Sequence, residues 1–303
     1  MKRTALILSL FLFAAANSLS RQNDFPKLTG PYLGQKPPGT TPEIFAPGII
    51  SRQDREDYGI TFSRGGDLAL FNNDVAGSGM HSIFYASLEN GVWTQPKPIP
   101  YSIEHSIGEP VFSPRSDRIM FGQLRMNADH RWEPYVCRMR KTKDGWESPD
   151  VLMPGLRASE ANDGTLYYTL VMREGKPVEK TDIAISECVD GRYRDPDILP
   201  LGVNSDFNDL HPFVSPDESI LIFDSDRPGG FGDFDLYVAF RDQEGRWGKA
   251  FNLGGKINSA GYEGVPTLSL DGRFLFFTSK GDIYWVSAQV IDDLRPKESK
   301  NNR

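Results

Sequence analysis

Past its first twenty residues the chain has no apolar run of about 18 residues, the length a membrane-spanning helix needs, so no transmembrane anchor is expected. Cysteine is scarce: Cys137 and Cys188 are too few for a disulfide framework, and no CxxC or Cys/His cluster points to structural zinc. Positive charge is in deficit, with 34 Lys and Arg against 41 Asp and Glu and a net charge of −7. That balance excludes a general attraction to nucleic acid or anionic lipid, and the basic cluster at 138–143 reads as a solvated hairpin edge. No Gly-x-Ser-x-Gly elbow, HExxH helix, P-loop or dinucleotide fingerprint is present. The four histidines, His81, His105, His130 and His211, show no pair at helical ligand spacing.

What the chain does have is turns and rings. Its 303 residues include 29 Gly and 22 Pro, 12% aromatics and 39% hydrophobic residues, a composition for a packed core with many reversals. Lys2 and Arg3, an apolar stretch over 5–16, and small residues at Ala14-Ala15-Ala16 or Ser18-Leu19-Ser20 predict a signal peptide over 1–20. No cysteine stands near that cleavage region to carry a lipid. The expected domain plan is an N-terminal extension over 21–41, one domain over 42–290 and a charged tail over 291–303, in the periplasm or outside the cell.

The sequence repeats. The run from Pro212 to Phe223 matches the run from Pro266 to Phe277 in character, each reading strand, tight turn, strand. Similar units stand at 110–121 and 60–71, and a degraded one at 158–168. Anchored on Ser63, Ser113, Ser159, Ser215 and Ser269, the copies are 50, 46, 56 and 54 residues apart. A third β-branched or aromatic run follows each pair, and in four copies a Gly and an aromatic come next, with Trp93, Trp146, Tyr193 and Trp247 in the same slot. A turn then feeds a fourth strand. The fold class is therefore all-β, a β-propeller with five blades of four antiparallel strands; a sixth blade would need a copy that the sequence lacks. The last repeat has three strands, and residues 43–49 resemble 150–156, the outer strand of the second repeat, so an N-terminal strand is expected to close the ring.

Val214-Ser215-Pro216-Asp217, with Ser225-Asp226-Arg227-Pro228-Gly229-Gly230 and Asp235-Leu236-Tyr237-Val238 behind it, resembles the TolB-type repeat, a WD40-like family of exported bacterial propellers. The resemblance covers about residues 42 to 287. It implies a protein- or ligand-binding face without a shared catalytic set, and so a non-catalytic scaffold that holds an envelope protein, a peptide or a glycan. The alternative is a carbohydrate-active hydrolase, which needs two carboxylates about 5 to 9.5 Å apart across a cleft.

Acids stand just ahead of the anchors: Asp57, Glu109, Asp209 with His211, and Glu263, with Glu160 beside the third anchor. They are expected to rim one mouth of the central channel, where like charges raise one another's pKa and attract a cation, calcium being the oxygen-loving choice, or a basic segment. Solvated loop carboxylates are the bland alternative. The acidic loop 224–235 lacks EF-hand spacing and reads as a hairpin whose Asp side chains satisfy turn backbone. Aligned on the third strand, Cys137 falls near Ala184, about 13 Å from Cys188 at strand rise, so both thiols are expected to be free.

Overall fold

The computed structural model describes residues 25–74, 81–127, 129–143 and 145–296; the expected signal peptide lies outside the described residues. They form a β-propeller of five four-stranded antiparallel blades. The innermost strands are Asp57–Phe62, Ile107–Phe112, Leu156–Glu160, Asp209–Val214 and Glu263–Leu268. Each packs on the next, and the fifth returns to the first.

Alternation in the second and third strands buries two apolar faces per blade, so each seam between neighbours becomes a core cluster. Phe121 and Met139 of the second blade pack with Leu70 and Ile83 of the first, and Tyr167 and Ile183 of the third with Phe223 and Ala239 of the fourth. The ring closes as expected: Glu43–Ile44 lies antiparallel on the third strand of the last blade, with Glu43 opposite Trp285 and Ile44 opposite Tyr284. Phe45 follows, fully buried among Phe62, Phe276 and Trp285 with ring centroids 5.0 to 5.6 Å apart. Residues ahead of it add a strap between the first and last blades. The Trp93 indole donates to Gly30 O at 2.6 Å, the Tyr32 amide donates to Gly66 O at 3.0 Å, and the Tyr32 hydroxyl donates to Asp271 at 2.8 Å.

The turn after each innermost strand follows one plan, with the Asp partner of the anchor four residues on in the first two blades and two residues on in the fourth and fifth. Ser63, Ser113, Ser215 and Ser269 donate their hydroxyls to Asp67, Asp117, Asp217 and Asp271, and the third residue after each anchor is left-handed: Gly66, Ser116, Glu218 and Gly272, with φ of 56 to 75°. In the third blade that left-handed residue is Gly164 (φ 93°), and Ala161 donates its amide to Thr165 as the anchor serines do to theirs. The third anchor is therefore Ala161, two residues after Ser159, and the repeat spacings become 50, 48, 54 and 54. Ser159 instead sits within the strand and accepts the Val214 amide of the next blade at 2.9 Å. The Gly-aromatic slot also differs from a simple lead into the fourth strand. Val92–Trp93, Gly145–Trp146 and Arg192–Tyr193 are two-residue strands that fold back on the segment before them, and the outer strand follows. Trp146 meets Tyr85 of the preceding blade edge-on at 6.1 Å and Trp247 meets Tyr167 at 6.0 Å, so these aromatics seal seams.

Candidate functional site at the propeller mouth

Each innermost strand carries a β-bulge at the same place, four residues before its anchor: Gly59, Glu109, Arg157, His211 and Val265, all with φ between 20 and 58°. The bulge adds a residue to the strand and re-aims its side chain, here toward the propeller axis. A Cβ built on Gly59 would come within 3.1 Å of Val265, 3.5 Å of Glu109 Cα and 3.7 Å of an Arg157 nitrogen, which places all four positions around one point.

The bulged amides need acceptors, and the preceding blade supplies them. Opposite the residue before each bulge, the second strand carries Asn72, Gly122, Thr169, Asp224 or Thr278. Four of these accept the bulge N–H of the next blade: Asn72 from Glu109 at 2.5 Å, Thr169 from His211 at 2.9 Å, Asp224 from Val265 at 3.2 Å and Thr278 from Gly59 at 3.2 Å. The second blade has Gly122 in that slot, facing Gly108, and no side chain fills the space. A cavity of about 330 Å³ results, walled by Ile107, Leu124, Pro134 and Leu156, edged by Tyr58, His81, Ser106 and Gln123, with Glu109 at its base.

Behind Glu109 lies a buried polar cluster. His211 Nε2 is 3.4 Å from Glu109 Oε1, while its Nδ1 is 3.0 Å from both oxygens of Asp224. Burial lowers the His211 pKa, but the Asp224 and Glu109 carboxylates outweigh it and hold the imidazole at about 9, so it is cationic at neutral pH. Arg157, fully buried, reaches across the axis and donates Nη2 to Pro266 O and Thr267 Oγ1, both at 2.6 Å. Burial pulls its pKa down, opposed by Glu109 and Asp224. Its Nε and Nη1, and Glu109 Oε2, are buried without a partner in the protein. Two carboxylates and two cations leave the cluster near neutrality.

The other expected site residues lie elsewhere. Asp57, Asp209 and Glu263 stand six residues before their anchors, two earlier than Glu109, and are no more than 1% exposed. Each accepts the backbone amide of a residue four or five positions earlier, Arg52 at 3.0 Å, Ser205 at 2.6 Å and Ser259 at 2.7 Å, and so pins the loop entering its strand. Asp57 also pairs with Arg55 at 2.8 Å and Asp209 with Arg227 at 2.5 Å. Burial lifts the Asp57 carboxyl to about 6 against the pull of Arg55. Glu160 is at the opposite end of its strand, paired with Arg118 at 2.5 Å. Glu109 and His211 are thus brought together, and the remaining acids are dispersed. Among the described residues no three His, Cys, Asp or Glu side chains gather as metal ligands. In the 224–235 loop, Asp226 accepts the Asn208 amide and Asp235 those of Phe231 and Gly232. Arg157 escaped the sequence reading; its place four residues before Ala161, in line with Glu109 and His211, is the signal that finds it.

No family model matches the chain, and no curated protein matches it in sequence. Among solved structures it is similar to an endo-arabinase from Bacteroides thetaiotaomicron, 12% identical with a TM-score of 0.53 over 88% of this chain and 100% of that one. It is also similar to a GH43_12 protein retrieved from a capybara gut metagenome, 15% identical with a TM-score of 0.53 over 86% of this chain and 55% of that one. A putative TolB from Agrobacterium tumefaciens is 18% identical over 75% of this chain and 72% of that chain, with a TM-score of 0.46. At these identities the likeness is one of fold, the β-propeller. Among the described residues no helix is long and apolar enough to cross a membrane.

Proposed function

We propose that the chain is a TolB-like exported binding propeller, working in the periplasm or outside the cell, that holds an envelope protein or peptide at the mouth where the innermost strands begin. One observation carries this reading: that mouth combines a cavity floored by Glu109 with exposed apolar side chains on the loops around it. Trp132, which opens the third strand of the second blade, is 64% exposed, and Phe231 and Phe207, on connections at the same end, are 52% and 43% exposed. Large apolar groups left in water at one end of a ring mark a contact surface.

The hydrolase reading requires a second carboxylate across the cavity. Glu109 is the one carboxylate among the described residues lining it, and Asp224 stands behind His211. Binding is therefore the better-supported role. Calcium fits poorly as a resident ion, since it takes six to eight oxygens and the floor offers one carboxylate.

Photo-crosslinking tests the face. A crosslinking amino acid at Phe207 or Phe231 should capture an envelope partner, and one at Arg115, in a turn at the opposite mouth, should not. Capture from Arg115 alone would overturn the reading. Turnover of any member of a glycan panel, abolished by Glu109→Gln, would replace it with the hydrolase.

A further inference from the structure

The second blade's hairpin carries its strand pairing four residues past Gly122. Its strands run Arg118–Met126 and Trp132–Thr142, and at the far end Leu124 lies opposite Pro134 and Met126 opposite Trp132. Residues directly opposite, and residues two apart, share one face of a strand pair, so these four side chains form a single apolar strip. Leu124 and Pro134 also line the cavity, while Met120 and Val136 on the same face pack against the third blade, so the strip runs along the seam between the second and third blades at the edge of the mouth. Leu124 is 43%, Met126 52% and Trp132 64% exposed. The strip runs from the hairpin tip into the pocket that Gly108 and Gly122 leave open, and ends at Glu109.

We propose that this strip and cavity form a docking site for a polypeptide segment with apolar side chains flanking a lysine, the apolar groups lying on Trp132 and Met126 and the lysine ammonium reaching Glu109. The inference rests on the mouth being the binding face. Three observations select this occupant. The cavity is about 330 Å³ with apolar walls, which suits one long alkyl side chain. Its single charged lining group is a carboxylate on a chain of net charge −7, so the head that complements it is a donor and a cation. Glu109 Oε2 is buried away from the cavity, and a guanidinium fork needs two carboxylate oxygens, whereas an ammonium is a point donor that can share Oε1 with His211, 3.4 Å away. Because the cluster behind Glu109 is near neutral, the floor supplies orientation and selectivity while the strip supplies contact area.

Calorimetric titration of the full chain with n-hexylamine, 1-hexanol and hexanoate reads the floor. Acetyl-leucyl-lysyl-leucine amide and its Nε-acetyl-lysyl counterpart read floor and strip together. Hexylamine should bind about tenfold tighter than hexanol, the margin of one charge-assisted hydrogen bond, and hexanoate should be weakest. The lysyl peptide should exceed hexylamine by about tenfold, and that gain should vanish in Trp132→Ser and in Met126→Ser, exposed positions whose replacement leaves folding intact. Glu109→Gln should remove the preference for the amine, and acetylation of the lysine performs the same test from the ligand side if that variant folds poorly. Equal binding of hexylamine and hexanol, or unchanged peptide affinity in Trp132→Ser, would overturn the proposal. A peptide no tighter than hexylamine would overturn it too, leaving a receptor for free alkylamines. Crosslinks from Phe207 and Phe231 with none of these affinities would leave the binding face standing and remove only this occupant.

Discussion

His211 Nδ1 lies 3.0 Å from both oxygens of Asp224, and Asp224 also accepts the Val265 amide from the next blade at 3.2 Å. One carboxylate thus orients a buried imidazolium and holds a seam between blades. Asp224→Asn leaves His211 without its main counter-charge and should cost about 3 kcal/mol or more, read as a lower midpoint in denaturant. A variant as stable as the parent would mean that the seam draws nothing from this contact.

The same pair sets a pH dependence. The folded-state pKa of His211, about 9, lies above its ordinary value of 6.5, so its stabilisation is complete below about pH 6.5 and is lost as pH rises through about 9. Parent and His211→Gln melting curves, recorded from pH 7 to 10, should converge toward the alkaline end. A gap that stays constant across that range would contradict the imidazolium.

Phe45 tests closure. It is fully buried between the first and last blades, and Phe45→Ala should cost about 3–5 kcal/mol, lowering Tm by roughly 10 °C. Truncation to residue 52, which removes the closing strand and strap together, should cause aggregation or a much larger fall. Truncated protein that melts like the parent would sink the closed ring.

Gly122 and Gly155 should respond oppositely to an added side chain. A Cβ at Gly122 would meet its nearest neighbour, Gly108 O, at 3.7 Å, so Gly122→Thr should fold normally while filling the cavity and abolishing hexylamine binding. A Cβ at Gly155 would sit 2.7 Å from the Tyr168 ring and 3.2 Å from Thr169 O, and Gly155→Ala should lose about 1–3 kcal/mol. Chemical denaturation of both variants checks the contrast.

The thiols are unbridged, Cys137 buried and Cys188 half-buried. Burial pushes the Cys137 thiol up to about 12, which suppresses thiolate. Native protein should take one equivalent of a thiol reagent quickly, at Cys188, and a second only on unfolding. Two fast equivalents would contradict the packing around Cys137.

Ring, blade number and closing strand were legible because they rest on recurring patterns: alternation in the strands of every copy, Ser and Asp in the turn of four copies, and the likeness of 43–49 to 150–156. The third anchor slipped because that copy has Ser159 two residues early and Ala161 at the turn, where no hydroxyl marks it. Gly164, in register with Gly66 and Gly272, would have corrected it, since all three meet the same demand for a left-handed backbone. The site was half legible. Counting back from the anchors found acids, but a strand count assumes strict alternation, and the bulge breaks it, so Glu109 faces the axis while Asp57, Asp209 and Glu263 turn to their own loops. The cavity had no positive signal at all, being made by Gly122 where the other blades carry Asn72, Thr169, Asp224 and Thr278.

Ring closure by the segment at residues 43–44 also orders assembly in time. That segment leaves the ribosome about 240 residues before Trp285, its partner, exists. Until then the first blade lacks the neighbour that covers Phe62, and an unpaired strand waits with its hydrogen-bonding edge free. Vectorial synthesis therefore cannot finish this fold blade by blade. The chain must be kept from pairing with copies of itself until its last strand arrives, a demand that delivery across a membrane in an extended, unfolded form would meet.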